Sequence, residues 1–291
     1  MRTEGALGSP VLTIILRLEG IPPTPLWKRG DFPGNGKTEP IPMRLHKERT
    51  YRTTAARKGL LGFRVAVLET DLWVQAESDL SGLARESVIQ ARARLEAYIA
   101  RFPDFARTLV PWPETGPAPG IIRAMAAAGA AAGVGPMAAV AGAIAQEVGR
   151  ALLPHTPEVI VENGGDVFFL AQGEMVLGIY AGSSPLSHNV GVRVEGGGRA
   201  RALCTSSGTV GHSLSAGRAD AACILAADAA LADAVATATG NRVRTPGDLP
   251  EAIAFARSVP GVEGAVVILG EKLAAFGDLR LVPLAGRPKS P

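Results

Sequence analysis

Apolar and polar residues alternate along two early stretches of the chain, residues 48–52 and 63–74. A period of two residues is typical of strands that place one face against the core and the other in water. Between residues 81 and 102, apolar side chains recur instead at a spacing of three and four, which predicts an amphipathic helix. Pro103 ends this helix, because the residue before a proline disfavours helical backbone.

Alanine and glycine dominate the next two predicted helices, residues 120–132 and 136–153. Such small side chains allow a helix to pack closely on a sheet or on another helix. Short apolar runs then predict strands over residues 158–161, 167–170, 175–180, 190–194, 201–204, 219–226, 264–269 and 279–282. Two further helices are predicted among the later strands, over residues 228–239 and 249–258.

The order of these elements indicates the fold class. Helices stand in pairs between runs of strands, which favours an α+β fold with antiparallel sheets over a doubly wound parallel sheet. Residues 1–42 show neither period and are rich in proline and glycine. We therefore predict a flexible N-terminal extension over residues 1–42 and a single α+β domain over residues 43–291.

Composition narrows the functional classes. Residues 1–52 carry nine Lys/Arg against five Asp/Glu, whereas the remainder carries 21 against 22, so the basic balance belongs to the N-terminal segment. No basic patch interleaved with aromatic residues follows it, and we predict no nucleic-acid partner. Apolar runs are too short or too interrupted for a membrane span. Two cysteines, Cys204 and Cys223, make no disulfide framework, which favours a reducing cytoplasm.

Three polar stretches in otherwise apolar surroundings could carry chemistry. The first is Asn163-Gly164-Gly165-Asp166, between two predicted strands. Asn-Gly is a strong hairpin signal, so a simple turn would explain it completely. Alternatively, the two glycines let the backbone approach a ligand closely, while the carboxylate of Asp166 accepts the ligand's hydroxyl or amide hydrogens.

The second stretch, residues 204–213, consists almost entirely of hydroxyl-bearing residues and glycines. Its candidate ligand contacts are Thr205, Ser206, Ser207, Gly208 and Thr209. Successive backbone N–H groups and hydroxyls suit an anion such as phosphate. His212 could act as an acid or base, or be a structurally bonded histidine in a polar turn. Cys204 is more typical of a small buried side chain than of a nucleophile.

The third stretch is the predicted helix that begins at Asp228, a residue type that often caps helices. Asp233 and Thr237 lie one turn apart, so their oxygens share a face of this helix. They could be a solvated polar stripe, or they could offer oxygen ligands to Mg²⁺. One carboxylate is too few for a protein cage, so backbone oxygen, water and a ligand's phosphate would have to complete such a site.

In their order along the chain, these stretches resemble the motifs of the ApbE-type FAD:protein FMN transferase superfamily. The segments that carry the resemblance are Gly142-Ala143-Ile144-Ala145, Gly164-Gly165-Asp166, Thr205-Ser206 with Gly208, and Asp233 with Thr237. The resemblance implies ApbE-like, T-fold-related antiparallel sheets packed with paired Ala-rich helices. It also implies FAD or FMN as a cofactor, and Mg²⁺ held by Asp233, Thr237 and the carbonyl of Ala145.

Longer phrases resemble still more closely an uncharacterised ApbE-like branch found in bacteria and archaea, among them residues 69–73 and 134–145. This resemblance extends over about residues 45–282. The transferases have Lys-Gly where this chain has Gln146-Glu147, and they have an Asp-Pro that does not follow His212 here. The missing lysine removes a cation for the flavin nucleotide.

Three functional hypotheses follow. The first is Mg²⁺-dependent binding of a flavin nucleotide or another phosphorylated metabolite, with FMN transfer as one activity. The second is a carrier or sensor that binds the same ligand without turning it over. The third is a sulfur-metabolism enzyme that uses Cys204. In the first two, the partner is a small phosphate-bearing molecule, and the oligomeric state stays open, a homo-oligomer included.

We predict that residues 1–42 are dispensable for folding. Their deletion should lower the melting temperature by no more than a few degrees, because an aperiodic Pro/Gly-rich segment buries little apolar surface. Thermal denaturation of the truncated and full-length chains measures this difference. A large loss of stability or solubility would show that the segment packs on the domain.

Overall fold

The structure is a computed structural model, and it describes residues 57, 59–113, 116–208 and 217–284, with the backbone of residues 13–16. Its strands are β1 (Thr13–Leu16), β2 (Leu61–Val67), β3 (Thr70–Ala76), β4 (Val159–Asn163), β5 (Asp166–Leu170), β6 (Glu174–Ile179), β7 (Val190–Glu195), β8 (Arg201–Ser206), β9 (Ala221–Ala226), β10 (Val262–Leu269), β11 (Lys272–Gly277) and β12 (Arg280–Pro283). Its α-helices are α1 (Ser81–Arg101), α2 (Gly120–Ala132), α3 (Val140–Leu152), α4 (Ala229–Asn241) and α5 (Leu249–Ser258).

Two sheets organise these strands. The larger has eight antiparallel strands in the order β11-β10-β9-β8-β5-β4-β3-β2. The smaller has the order β1-β6-β7-β12, in which only the β1–β6 pairing is parallel. The predicted α+β class with antiparallel sheets is therefore confirmed.

The larger sheet lies between the helices and the smaller sheet, and each of its faces lines a separate core. Because side chains alternate along a strand, neighbouring residues of β5 enter different cores. Phe168 packs in the core on the helix side, and Phe169 packs in the core that β6 and β7 cover. Both rings are completely buried. The molecule is thus a three-layer arrangement of helices, large sheet and small sheet.

Glycines set the closest contacts of helix α3. A Cβ at Gly149 would lie 2.1 Å from Cδ1 of Phe168, so α3 rests directly on an aromatic ring of β5. A Cβ at Gly142 would lie 2.2 Å from the carbonyl oxygen of Ala229, so the backbones of α3 and α4 touch. The close packing predicted for the alanine-rich helices therefore depends on glycines, because a Cβ at these positions would overlap the neighbouring element.

Several element predictions need correction. The alternating run predicted over residues 63–74 is a hairpin, with a turn at Leu68 whose φ is 52°. Strand β11 was not predicted, because its residues are mostly half-exposed or exposed and carry a weak apolar signal. The strand predicted over residues 279–282 is β12, which pairs with β7 in the smaller sheet. The strand predicted over residues 48–52 lies outside the described residues.

The N-terminal segment contains one described element. Thr13–Leu16 pairs with β6 as a strand, although residues 1–42 were predicted to be a flexible extension. The rest of that extension lies outside the described residues, so its dispensability stays a prediction. Deleting it would also uncover an edge of β6, and the truncation experiment therefore tests how much β1 contributes.

Helix length and hydropathy give one further finding. No individual helix in the described ranges has the length and apolar character needed to cross a membrane. Helix α2 and the segment Pro136–His155 meet that criterion only when they are joined, and they bend by 106° where they meet.

We predict that Gly142→Ala is destabilising although alanine favours helices. The added methyl group would overlap the Ala229 carbonyl and force α3 away from α4, an overpacking that typically costs about 1–3 kcal/mol. The matched control is Gly240→Ala on α4, because a Cβ there would meet the Cβ of Ala222 at an ordinary 3.6 Å. Urea denaturation of both variants measures the two costs. Equal stability of the two variants would contradict the tight α3–α4 contact.

Candidate functional site

The first turn of α3 is held by side chains from two other elements. Ala139, at the N-cap position, offers no side-chain hydrogen bond to this helix. The carboxylate of Asp233, on α4, accepts instead from the backbone N–H of Gly142 at 2.9 Å and from that of Ala141. From the other side, Nδ2 of Asn163 donates to the Ala141 carbonyl at 3.0 Å. Because helix N-termini carry partial positive charge, this is a favourable place for a carboxylate.

The turn between β4 and β5 brings Asn163 to this position. Gly164 and Gly165 have φ values of 67° and 120°, which other residues rarely adopt, and Asn163 pairs with Asp166 across the turn. The hairpin interpretation of Asn163-Gly164-Gly165-Asp166 is therefore confirmed. Ligand binding by the same turn stays a prediction, although the turn does lie at the end of the sheet where α3 begins.

Asp166 is buried beneath the helices, with only 6% of its surface exposed. Its Oδ1 accepts from the backbone N–H of Thr205 at 3.2 Å, and it also receives a hydrogen bond from the thiol of Cys204. Burial, and then repulsion from Asp233, raise the pKa of Asp166 well above its ordinary value despite these two bonds. This carboxyl group is therefore poised to hold a proton rather than a charge.

Asp233 shares this electrostatic problem. Burial raises its pKa to about 7, although the N–H groups of Gly142 and Ala141 act in the opposite direction. Among the residues that the structure describes, no Lys or Arg forms an ion pair with Asp166 or Asp233. When these two carboxyl groups are ionised, no positively charged side chain among the described residues neutralises them through an ion pair.

The predicted phosphate cradle is only partly supported by the geometry. Thr205 and Ser206 belong to β8, and the N–H groups of Thr205 and Gly208 already have acceptors, which are Asp166 and the Ala219 carbonyl at 2.9 Å. The expectation of free N–H groups at these two positions is therefore corrected. Ser207 is buried, and its Oγ lies 3.5 Å from the same carbonyl.

Two predicted site residues, Thr209 and His212, lie outside the described residues. The described ends of their loop are Gly208 and Gly217, and a Cβ at Gly208 would lie 2.2 Å from the Gly217 carbonyl. The loop therefore starts and finishes at one place, beside the end of β8. The roles of Thr209 and His212 stay predictions.

The predicted metal ligands lie on two helices in contact. Asp233 and Thr237 are both half-buried on α4, and Ala145 is completely buried inside α3. Within the described ranges, no group of three or more His, Cys, Asp or Glu side chains could hold a metal ion. The hard oxygens of Asp233 and Thr237 fit Mg²⁺, which keeps several waters and takes further oxygens from a bound phosphate.

Gln146 is a residue of this region whose role the sequence did not reveal. We noted it as the place of a missing lysine, but the structure shows it almost completely buried, with both amide atoms bonded to the start of α4. Its Nε2 donates to Oδ2 of Asp228 at 2.8 Å, and its Oε1 accepts from the N–H of Ala229 at 2.7 Å. A polar residue in an apolar helix was the available signal. Asp228 also caps α4 as predicted, by accepting from the N–H of Leu231 at 2.9 Å.

Comparison with known proteins identifies the family. A family model described as AbpE bacteria matches residues 52–273. This chain belongs to that family. It is 41% identical over 214 residues to a UPF0280 protein of Methanocella arvoryzae, which covers 73% of this chain and 87% of that protein. The resemblance to an ApbE-like branch found in bacteria and archaea is thereby confirmed.

Two further comparisons agree with this assignment. A UPF0280 protein of Methanopyrus kandleri is 42% identical over 238 residues, covering 79% of this chain and 92% of that protein. Among solved structures, the apo form of the flavinyl transferase ApbE from Pseudomonas stutzeri matches with a TM-score of 0.50 at 12% identity. The match covers 75% of this chain and 94% of that one. At this identity the likeness concerns the fold.

The pKa of Asp233 predicts a pH dependence of stability in this AbpE-type domain. Its folded-state pKa of about 7 exceeds the ordinary value of 3.8, so the folded protein keeps a proton that the unfolded chain releases between these values. Stability from this group is therefore highest at low pH and falls as pH rises toward 7. In metal-free buffer, the melting temperature of wild type minus that of Asp233→Asn should decrease from about pH 5 to about pH 8.

The control for this experiment is Asp248→Asn. The pKa of Asp248 is lowered by hydrogen bonds from the N–H groups of Arg244 and Thr245. Its contribution is lost only as pH falls through that lowered pKa, so its difference from wild type should stay constant over the same range. A constant difference for Asp233→Asn as well would contradict the raised pKa of Asp233.

Proposed function

We propose that this protein binds a flavin nucleotide or a related phosphorylated metabolite in a Mg²⁺-dependent manner. The site is the end of the larger sheet where α3 begins, and FMN transfer is the reaction that the family resemblance suggests. The observation that carries the proposal is the pair of carboxyl groups formed by Asp166, which is buried, and Asp233, which is half-buried, without an ion-pairing Lys or Arg among the described residues.

The electrostatics of the pair support a cation at this site. Both carboxyl groups have raised pKa values, and a divalent cation held at Asp233 would favour the ionised form of that carboxyl group. Asp233 and Thr237 would hold the ion, which would neutralise phosphate charge when bound. Because these residues supply so few ligands, phosphate and water oxygens are needed to complete the coordination.

Asp166 has a separate role in this proposal. Its raised pKa favours the protonated form, and a neutral carboxyl group can both donate and accept a hydrogen bond. It could therefore hold a hydroxyl or amide of the ligand, or move a proton at that atom. The N–H of Thr205 fixes the orientation of its Oδ1.

Binding without turnover is the second candidate, and Gln146 favours it. Both polar atoms of this side chain are engaged within the protein, so it does not replace the cation that a lysine would bring to a nucleotide. The third hypothesis, sulfur chemistry at Cys204, has little support. The Cys204 side chain is completely buried, and burial followed by the nearby Asp166 and Asp233 raises the pKa of its thiol well above the ordinary value.

We predict that metal and nucleotide binding are reciprocally coupled through Asp233. Calorimetry should show wild type binding FAD, FMN or ADP at least about tenfold more tightly with Mg²⁺ than with EDTA, and Mg²⁺ more tightly with nucleotide. Asp233→Asn keeps the shape and an acceptor for the Gly142 N–H but removes the charge, so it should abolish this difference. Asp248→Asn, at a carboxylate that caps the turn before α5, should retain it.

Two outcomes would reject the metal-site proposal. One is that wild type binds none of these nucleotides in either condition, and the other is that Asp233→Asn shows the same Mg²⁺ dependence as wild type.

Incubation with FAD and Mg²⁺, followed by chromatography, separates the two candidate functions. Appearance of AMP shows cleavage of the FAD diphosphate, whereas intact bound FAD shows a carrier or sensor.

A further inference from the structure

Helices α3 and α4 meet at two polar contacts that lie one turn apart. At the first, the Gly142 N–H of α3 donates to Oδ2 of Asp233 at 2.9 Å. At the second, Gln146 bonds to Asp228 and to the N–H of Ala229, at 2.8 Å and 2.7 Å. Gly142 and Gln146 are four residues apart, so they lie on the same face of α3. The two contacts therefore belong to one seam between the helices.

The second contact is the more completely enclosed. Gln146 has only 4% of its surface exposed, and its orientation is unambiguous because the Ala229 N–H is a donor and must face Oε1. The amide nitrogen then faces Asp228, whose other oxygen accepts from the N–H of Leu231. The Gln146 side chain thus stabilises the start of α4 in two ways. It accepts a hydrogen bond from the first N–H of α4, and it donates one to the residue that caps α4, Asp228.

We propose that Gln146 is a positioning residue, which sets the register of α4 against α3 and thereby places the Asp233 carboxylate on the first turn of α3. The contact at Gly142 leaves little room for a change of register. Because Gly142 has no Cβ, the Ala229 carbonyl and the Cβ of Asp233 both pack directly against its backbone. A small slide of α4 would lengthen a 2.9 Å hydrogen bond beyond useful distance. Gln146 acts through α4 and does not touch a ligand.

The test is amide hydrogen exchange of Gly142, measured by NMR on the metal-free protein. Gln146→Met keeps the length of the side chain and removes both hydrogen bonds. It should speed exchange at Gly142 by at least about tenfold relative to the other amides of α3. Gln146 makes no contact with that amide itself, so this change reports the position of Asp233. The Ala229 N–H, which Gln146 bonds directly, should lose protection as well.

Val148→Ala is the matched control. Val148 is completely buried and lies about 200° around α3 from Gln146, on the side away from this seam. Its truncation should lower the melting temperature without selectively exposing the Gly142 amide. If Gln146→Met changes Gly142 exchange no more than Val148→Ala does, Gln146 is a general stabilising residue and the positioning proposal is rejected.

A rescue experiment decides the matter even if Gln146→Met fails to fold. Gln146→Glu alone faces the Asp228 carboxylate with a second one, and should expose the Gly142 amide. The double variant Gln146→Glu/Asp228→Asn reverses the hydrogen bond, because the new amide can donate to the new carboxylate while each still has an oxygen for the Ala229 or Leu231 N–H. It should recover protection to within about threefold of wild type. A double variant that recovers no better than Gln146→Glu would overturn the proposal.

The functional consequence of this placement rests on the proposed metal and nucleotide site. With FAD present, Gln146→Met should weaken Mg²⁺ binding at least about tenfold, and the double variant should recover it. If wild type binds no nucleotide, the proposed function fails while the exchange experiment still stands. If wild type does bind Mg²⁺ and nucleotide but Gln146→Met leaves the exchange of the Gly142 amide unchanged, the positioning role alone fails.

Discussion

The contact between the Asp233 carboxylate and the first turn of α3 is the interaction on which this end of the molecule depends. It supplies the hydrogen-bond acceptor that the N-cap residue Ala139 does not provide, and it comes from a helix almost a hundred residues later in the chain. The same carboxylate is half-buried and close enough to Asp166 to raise that group's pKa. One side chain therefore joins two helices and sets the electrostatics of the candidate site.

This arrangement is stable because the surrounding residues are small. Gly142 and Ala229 let the backbones of α3 and α4 touch, and Gly149 lets α3 rest on Phe168. Close backbone contact brings polar groups of the two helices within hydrogen-bond distance without any long side chain between them. Gln146 then uses the first turn of α4 in the same way that Asp233 uses the first turn of α3. The helices cap each other reciprocally.

The reciprocal capping has an electrostatic cost that suggests its use. The raised pKa of Asp233, about 7, means that its ionised form is less favourable in the folded protein than in water. Ionised groups that are buried without a cation are unusual in structures unless they serve binding or catalysis. A bound cation would remove this cost, so ligand binding and stability should be linked at the same residues. The β4–β5 turn places Asp166 opposite Asn163, so Asp166 belongs to the same group of linked residues.

The sequence by itself determined the local structure and the family. Alternation and helical spacing predicted most of the strands and all five described α-helices, Asn163-Gly164 predicted the hairpin, and Asp228 predicted the cap of α4. These features depend on neighbours within a few residues, which is why a linear pattern contains them. The family resemblance likewise rests on residues that are close in sequence, such as Gly164-Gly165-Asp166.

Only the tertiary structure decided which of these groups meet. Nothing near Asp233 in sequence shows that it caps α3, nothing near Thr205 shows that its N–H is used by Asp166, and Gln146 looked like a simple replacement. Strand β12 joined the smaller sheet because pairing depends on which edge is within reach, here that of β7. The pKa values follow the same rule, since burial and charge proximity exist only once distant segments have packed together.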